Sequence, residues 1–308
     1  MNSKPIGVLL LGFGGADSPE AIEPFMKNLM GGRVPPPALV EKIKARYGLI
    51  GGKSPLPDIT AQQAAELHGS LNARGNSYEV AVGMRYWRPF IADGVMNLMA
   101  KGVAEIISVS LAPFYSRVST GAYEEELNRV IDSVQGHKPR VLNTGPFYDN
   151  PLFIDAVAEK VTAGLGDFPE DRRQGVQVIF SAHSLPVSYI ENGDPYAEQF
   201  RFTVDRIVAK LALENRHTAY QSRGGGQGDW LGPMVEEVMD KLKGRGLSDV
   251  LVVPVGFVSD HIETLYDIDI AQRNHASALG LNFHRTASLN TSGLFIRALA
   301  AHVSGEHK

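Results

Sequence analysis

The sequence predicts an α/β protein of two related lobes, each built on a four-stranded, mostly parallel sheet flanked by helices. Three observations predict it. Short apolar runs alternate with longer segments of helical periodicity along the whole 308-residue chain, as successive βαβ units require. The apolar runs are near-continuous, Val176–Phe180 being an example, which marks strands buried on both faces. Finally, Ile107–Ser116 can be laid on Val250–Ser259, so that one offset matches Phe114 with Phe257, Ser116 with Ser259 and Tyr123 with Tyr266. That is a weak internal repeat; buried strand-to-helix corners also look alike without duplication.

The elements follow in order. Strands are expected at Ile6–Leu11, Tyr78–Gly83, Glu105–Leu111, Arg140–Leu142, Val176–Ser181, Thr218–Gln221, Asp249–Val255 and Leu281–Phe283. Helical periodicity covers Gln62–Arg74, Arg88–Lys101, Ala122–Val134, Tyr196–Glu214, Met234–Lys243 and Ser292–Val303, among others. Four strands fall in each half, so the expected lobes are 1–145 and 146–308, with a cleft between them. In open α/β sheets ligands bind outside the carboxyl ends of the strands, which directs attention to the strand-end segments.

Composition removes several classes. The net charge of -4 gives no basic footprint for nucleic acid. With no cysteine in the chain, disulfides, thiolate metal sites and cysteine nucleophiles are excluded. The apolar segment near the N-terminus is too short for a signal sequence. No stretch reaches the roughly 18 apolar residues of an integral membrane segment, and the expected location is cytoplasmic.

Five segments can carry chemistry. Gly12-Phe13-Gly14-Gly15 follows the first strand. Its spacing is not that of a dinucleotide loop, and a tight turn admitting a flat ligand suits it as well; Asp17-Ser18-Pro19 then reads as a helix cap. Phe180–Pro186 places His183 at a strand's carboxyl end, where a neutral imidazole serves as metal ligand or proton acceptor; a histidine satisfied by local backbone is the plain alternative. Gly256–Asp269 holds Asp260, His261, Glu263 and Asp267. Asp260 with Glu263 fits a helix N-cap and its reciprocating acid. Glu263 and Asp267, four apart, would repel on one helix face, and a cation would relieve that repulsion. Gln221-Ser222-Arg223 and the glycine-rich loop to Trp230 read either as a flap or as a surface loop anchored by its tryptophan. Arg46, Tyr47 and Ser54 offer a cation, a phenol and a hydroxyl suited to carboxylates.

These segments, in this order, resemble the ferrochelatase family over nearly the full chain. Phe180–Pro186 and Gly256–Asp267 carry most of the resemblance, with Ile50–Pro55, Gly83–Phe90, Gln221–Arg223, Trp230–Pro233 and Leu289-Asn290 in support. The resemblance implies two Rossmann-like lobes around a porphyrin cleft, and an enzyme of haem biosynthesis inserting Fe²⁺ into a porphyrin. It places the catalytic pair on His183 and Glu263, with His183, Glu263 and Asp267 toward the metal. Porphyrin contacts fall on Phe13, Met30, Arg46, Tyr47, Ser54, Tyr123 and Trp230. Phe13 stands where some members have a tyrosine that ligates product iron, so that ligand is excluded here. Met30 stands where a related type uses an arginine, with Arg33 nearby as a substitute. Ala271 shortens the acidic row.

The chain is most similar to soluble bacterial members, many of which act on coproporphyrin, so coproporphyrin III is expected over protoporphyrin IX. No tightly bound cofactor is expected, Fe²⁺ being substrate. Porphyrin and haem are the implied ligands, with room for an iron donor or a haem acceptor protein. The alternatives are a chelatase for another tetrapyrrole and metal, such as cobalt, and a non-catalytic porphyrin or haem carrier; a nucleotide-binding α/β protein is more distant.

Overall fold

A computed structural model describes residues 4–73, 75–226 and 228–305. It contains eight strands: β1 Ile6–Gly12, β2 Tyr78–Met84, β3 Glu105–Ser110, β4 Arg140–Asn143, β5 Gln177–His183, β6 Arg216–Gln221, β7 Asp249–Val253 and β8 Asn282–Arg285. They form two four-stranded sheets, ordered β2-β1-β3-β4 and β6-β5-β7-β8. Every ladder is parallel. All eight expected strands form, with ends shifted by one or two residues, and the two sheets share one topology, as the internal repeat predicts. Arg74, the expected last residue of a helix, lies outside the described residues.

The central strands are the most apolar. In β1 and β5 the interior residues are fully covered, and β7 is buried along its whole length. In the first sheet Leu9, Leu11 and Ile106 pack against Val95, Leu98 and Leu127 of the flanking helices. In the second, Ile179, Val250 and Val252 meet Val235, Met239 and Leu242. Each such side chain contributes about 1.5–3 kcal/mol of apolar burial.

Each half also has a π-helix after its third strand. The first spans Arg117–Gly121 and the second Glu263–Gln272. The sequence predicted an ordinary helical turn at Glu263; the observed i→i+5 winding is rare and is usually found at functional sites.

The chain divides into two units, one comprising Met1–Phe147 and Asn290–Lys308, the other Tyr148–Leu289. The expected second lobe, 146–308, is therefore corrected at its end. The last helix, Gly293–Ser304, packs on Leu56–Asn72 of the first unit. Its apolar face, Phe295 and Leu299, is buried, with Phe295 against Phe147. Gln63 donates to the Asn290 carbonyl at 2.8 Å and His302 to the Gly145 carbonyl at 3.1 Å. An apolar stripe at helical spacing announces a buried face, but sequence does not say which unit buries it.

No helix among the described residues is long and apolar enough to cross a membrane.

Candidate active site

The strand order of the second unit reverses between β5 and β7, and ligands of open α/β sheets bind outside the carboxyl ends at that point. His183 is the last residue of β5. The chain leaving β7 crosses directly over that strand end. Gly256 donates its N–H to the Ser181 carbonyl at 3.1 Å, and a Cβ on Gly256 would sit 2.9 Å from Ala182. Only glycine lets the backbones come this close, and the crossing leads straight to the π-helix that begins at Glu263.

Local hydrogen bonds fix the imidazole. His183 Nδ1 lies 2.6 Å from the Ser184 carbonyl. A carbonyl only accepts, so Nδ1 carries the hydrogen and Nε2 is turned to Glu263. Tyr196 donates its hydroxyl to the His183 carbonyl at 3.1 Å; burial holds that phenol far above its usual range, so it stays a donor. The backbone-satisfied reading of His183 thus accounts for one ring nitrogen and leaves the other for chemistry.

Glu263 lies between two imidazoles. Its Oε1 is 3.4 Å from His183 Nε2, and its Oε2 is 3.5 Å from His261 Nε2. His261 Nδ1 is bonded in turn to the Ser259 carbonyl at 3.0 Å. The cap expected at Asp260 is displaced: the π-helix is capped at Ile262, with no side-chain cap hydrogen bond. Thr264 Oγ1 accepts the His261 N–H at 3.0 Å, and Asp260 Oδ1 accepts from Thr264 and Ser288. Asp267 accepts from Ser222 Oγ at 2.6 Å. Gln221 ties the strands to the π-helix: its Oε1 accepts from Ser181 and its Nε2 donates to the Glu263 carbonyl at 3.1 Å.

The electrostatics follow from this geometry. Burial works against charge on His183, yet the charge and hydrogen bond of Glu263, the Ser184 carbonyl and Asp267 outweigh it and raise its pKa. Burial alone would raise Glu263, but His183 and His261 hold its carboxyl well below the usual range. A neutral Nε2 facing a carboxylate oxygen sets two acceptors against each other, so the gap favours a proton or a cation. Among the described residues, no group of three or more His, Asp or Glu side chains is arranged to hold a metal ion.

Trp230 belongs to the same unit. Its backbone bridges Pro186 in antiparallel fashion. Leu231 N–H bonds to the Leu185 carbonyl and Val187 N–H to the Asp229 carbonyl. The indole donates to Gly226 at 3.3 Å. The tryptophan end of the loop is therefore anchored to the segment after His183. Gln227, within this loop, lies outside the described residues.

The remaining candidates belong to the first unit. Phe13 is 40% exposed and lies against Tyr86 and Phe25. Gly14 has φ +101°, and the approach that requires a glycine there is made by the Trp87 backbone at 2.9 Å. Asp17-Ser18-Pro19 opens a turn, Ser18 Oγ accepting from Ala21, one residue before the helix Ile22–Leu29 begins. Ser54 is buried against Gly15, its N–H bonded to the Ala16 carbonyl at 2.7 Å. Tyr47 and Tyr123 are buried too, and Arg46 is half-buried one residue before Tyr47. Met30 ends its helix half-buried, and Arg33 folds back onto the Met30 carbonyl at 3.1 Å. Gly15, Phe13 and Tyr86 thus mark the carboxyl end of β1, with Ser54 beside them.

The sequence assigns no role to His261, Tyr196 or Arg285, and reads Gln221 and Ser222 only as the start of a flap or surface loop. His261 stands two residues before Glu263 in the same polar run, which was a usable signal. The others act through contacts far apart in sequence, which a single sequence does not disclose.

This architecture of two four-stranded parallel sheets is the fold of chelatases of known structure. Solved structures with the same fold include SirB from Bacillus subtilis with Fe³⁺, at TM-score 0.61 and 14% identity over 98% of this chain and 96% of that one. CbiX, the terminal enzyme of siroheme biosynthesis in denitrifying bacteria, matches at TM-score 0.55 and 11% identity over 97% and 98%. The ferrochelatase family model matches residues 5–307. A ferrochelatase of Geotalea uraniireducens is 42% identical, covering 95% of each chain, and one of Deinococcus radiodurans is 38% identical over 97% and 95%. The chain belongs to the ferrochelatase family, and as such it is a metal chelatase.

Proposed function

We propose that this protein inserts Fe²⁺ into coproporphyrin III in preference to protoporphyrin IX, with His183 and Glu263 as the catalytic pair. The observation that carries the reading is the 3.4 Å approach of His183 Nε2 to Glu263 Oε1 at the switch point of the second sheet. Metal insertion exchanges two pyrrole N–H protons for the cation. The reaction therefore needs a base that takes protons near neutral pH and anionic oxygens that receive a divalent ion.

His183 supplies the base through Nε2, since Nδ1 is committed to the Ser184 carbonyl. Nε2 must first give up any proton shared with Glu263; it then takes the two pyrrole protons in turn, releasing the first to solvent before it takes the second. Glu263 neutralises the imidazolium each time and, with Asp267, offers anionic oxygens to the incoming Fe²⁺. A planar macrocycle points its lone pairs into its own plane, so contacts that bend the ring lower the barrier to metal entry. The resemblance assigns such contacts to Phe13, Met30, Arg46, Tyr47, Ser54, Tyr123 and Trp230. The preference for coproporphyrin III rests on the resemblance to soluble bacterial members.

The test is anaerobic turnover with Fe²⁺, run in parallel on the two porphyrins. Faster turnover of coproporphyrin III is expected. Equal or reversed rates would overturn the preference, and tight binding of both without turnover would overturn the reading itself.

A further inference from the structure

The π-helix that carries Glu263 is bracketed by two carboxylates, Asp260 just before it and Asp269 near its end, and a single side chain grips both. Arg285 is the last residue of β8, with its side chain 11% exposed. Its Nε and Nη2 donate to the two oxygens of Asp269, each at 2.8 Å. Its Nη1 donates at 3.2 Å to Asp260 Oδ1, to the Thr286 carbonyl and to Ser288 Oγ. Ser288 closes the ring by donating to Asp260 at 2.7 Å. The fork onto Asp269 is the bidentate geometry that a guanidinium provides and an ammonium does not.

A π-helix is seldom stable by its own backbone geometry, so this wide segment needs outside support. One support is Gln221 and Ser222 at the end of β6, bonded to the Glu263 carbonyl and to Asp267. The other is the guanidinium of Arg285, which joins the segment's two ends to the opposite edge of the sheet. Between these supports the Glu263 carboxylate is held toward His183 and His261. Asp260 Oδ1 and both oxygens of Asp269 accept from Arg285.

We infer that Arg285, with Asp260 and Asp269, is the positioning element for Glu263: it acts on metal insertion by fixing where that carboxylate stands, without contact with the reacting atoms. The inference rests on the assignment of Glu263 to the chemistry. Its consequence is a split in kinetic effects. Loss of the clamp lowers the rate of the chemical step and leaves porphyrin affinity alone.

The experiment compares Arg285→Lys, Asp269→Asn, their double variant and Glu263→Gln in the full chain, reading kcat, KM for Fe²⁺ and the porphyrin dissociation constant. Ångström-scale misplacement of a catalytic group can cost about 10²-fold, so kcat should fall about tenfold or more in both clamp variants. Porphyrin affinity should stay within about twofold, and the double variant should be no worse than the poorer single one, as for groups acting as a unit. Both clamp variants keeping kcat within about twofold, while Glu263→Gln loses turnover, would overturn the inference and leave the function standing. Full turnover by Glu263→Gln would overturn the assignment beneath it. Should Arg285→Lys fail to fold, Asp260→Asn, which keeps an acceptor oxygen but drops the charge, decides by the same criterion.

Discussion

The two sheets of this protein are built alike and equipped differently. Both have the order in which the first strand of the unit lies inside, its second strand outside and its third across the switch point. Both follow the third strand with a π-helix, five residues long in the first unit and ten in the second. At the end of β1 stands Gly12; at the end of β5 stands His183. The internal repeat sets Glu263 opposite Thr120, whose hydroxyl is bonded to Ser110 at 2.9 Å in a buried site. At the end of the last strand, Asn143 bonds Ser108 in the first unit where Arg285 grips two aspartates in the second. Topology delivers two strand-end sites, and a handful of side chains gives one of them the imidazole–carboxylate pair to which the chemistry is assigned.

That contrast yields an ordered set of expectations. Glu263→Gln removes the charge opposite His183 and should lower kcat by about 10²-fold or more, at the scale of losing a general acid–base partner; steady-state kinetics with Fe²⁺ would show it. The same substitution should move the pH profile. Glu263 raises the pKa of His183, and the imidazole must be neutral to accept a proton or bind metal. The acidic limb of kcat/KM should therefore lie above the ordinary histidine value of 6.5 in the wild type and fall to lower pH in the variant.

Stability follows the same pair with a definite sign. The raised His183 contributes fully below its ordinary 6.5 and loses that contribution as pH climbs through its raised pKa. The lowered Glu263 contributes fully above its ordinary 4.5 and loses it as pH falls through the depressed one. The unfolding midpoint of the wild type should therefore exceed that of Glu263→Gln most between about 4.5 and 6.5, narrowing on either side. A difference that failed to narrow well above 6.5 and well below 4.5 would contradict the proposed pairing.

A smaller effect separates the two sheets directly. Gly94 of the first unit and Gly256 of the second are both too crowded for a Cβ, at 2.6 Å and 2.9 Å from backbone neighbours. Gly94→Ala and Gly256→Ala should each cost about 1–3 kcal/mol of stability through overpacking. Only Gly256→Ala pushes on the strand end of His183, so it alone should also reduce kcat. Smallest of all is Thr120→Ala at the position opposite Glu263. It should cost about 1 kcal/mol for the lost hydrogen bond and leave kcat within about twofold.

The sequence made the central strands plain because buried parallel strands are continuous apolar runs, while edge strands such as Arg140–Asn143, mostly exposed, were placed by the alternation of strands with helices. It also made His183 a candidate by its place at a strand's carboxyl end and Glu263 by its spacing from Asp267, and the resemblance joined the two as a pair. The destination of the last helix was not legible, because an apolar stripe carries no address. Nor was the π-winding, whose residues Asp269, Glu263 and Asp267 meet Arg285, Gln221 and Ser222 from elsewhere in the sequence. The cap expected at Asp260 is displaced to Ile262, and its partner acid Glu263 faces two imidazoles, contacts that helix-end spacing does not disclose.

The most direct test of the account is anaerobic iron insertion by His183→Ala, with porphyrin binding followed in the same samples. The account predicts bound porphyrin and turnover lowered by about 10²-fold or more. Near-normal turnover by that variant would contradict the assignment of the chemistry to the end of β5.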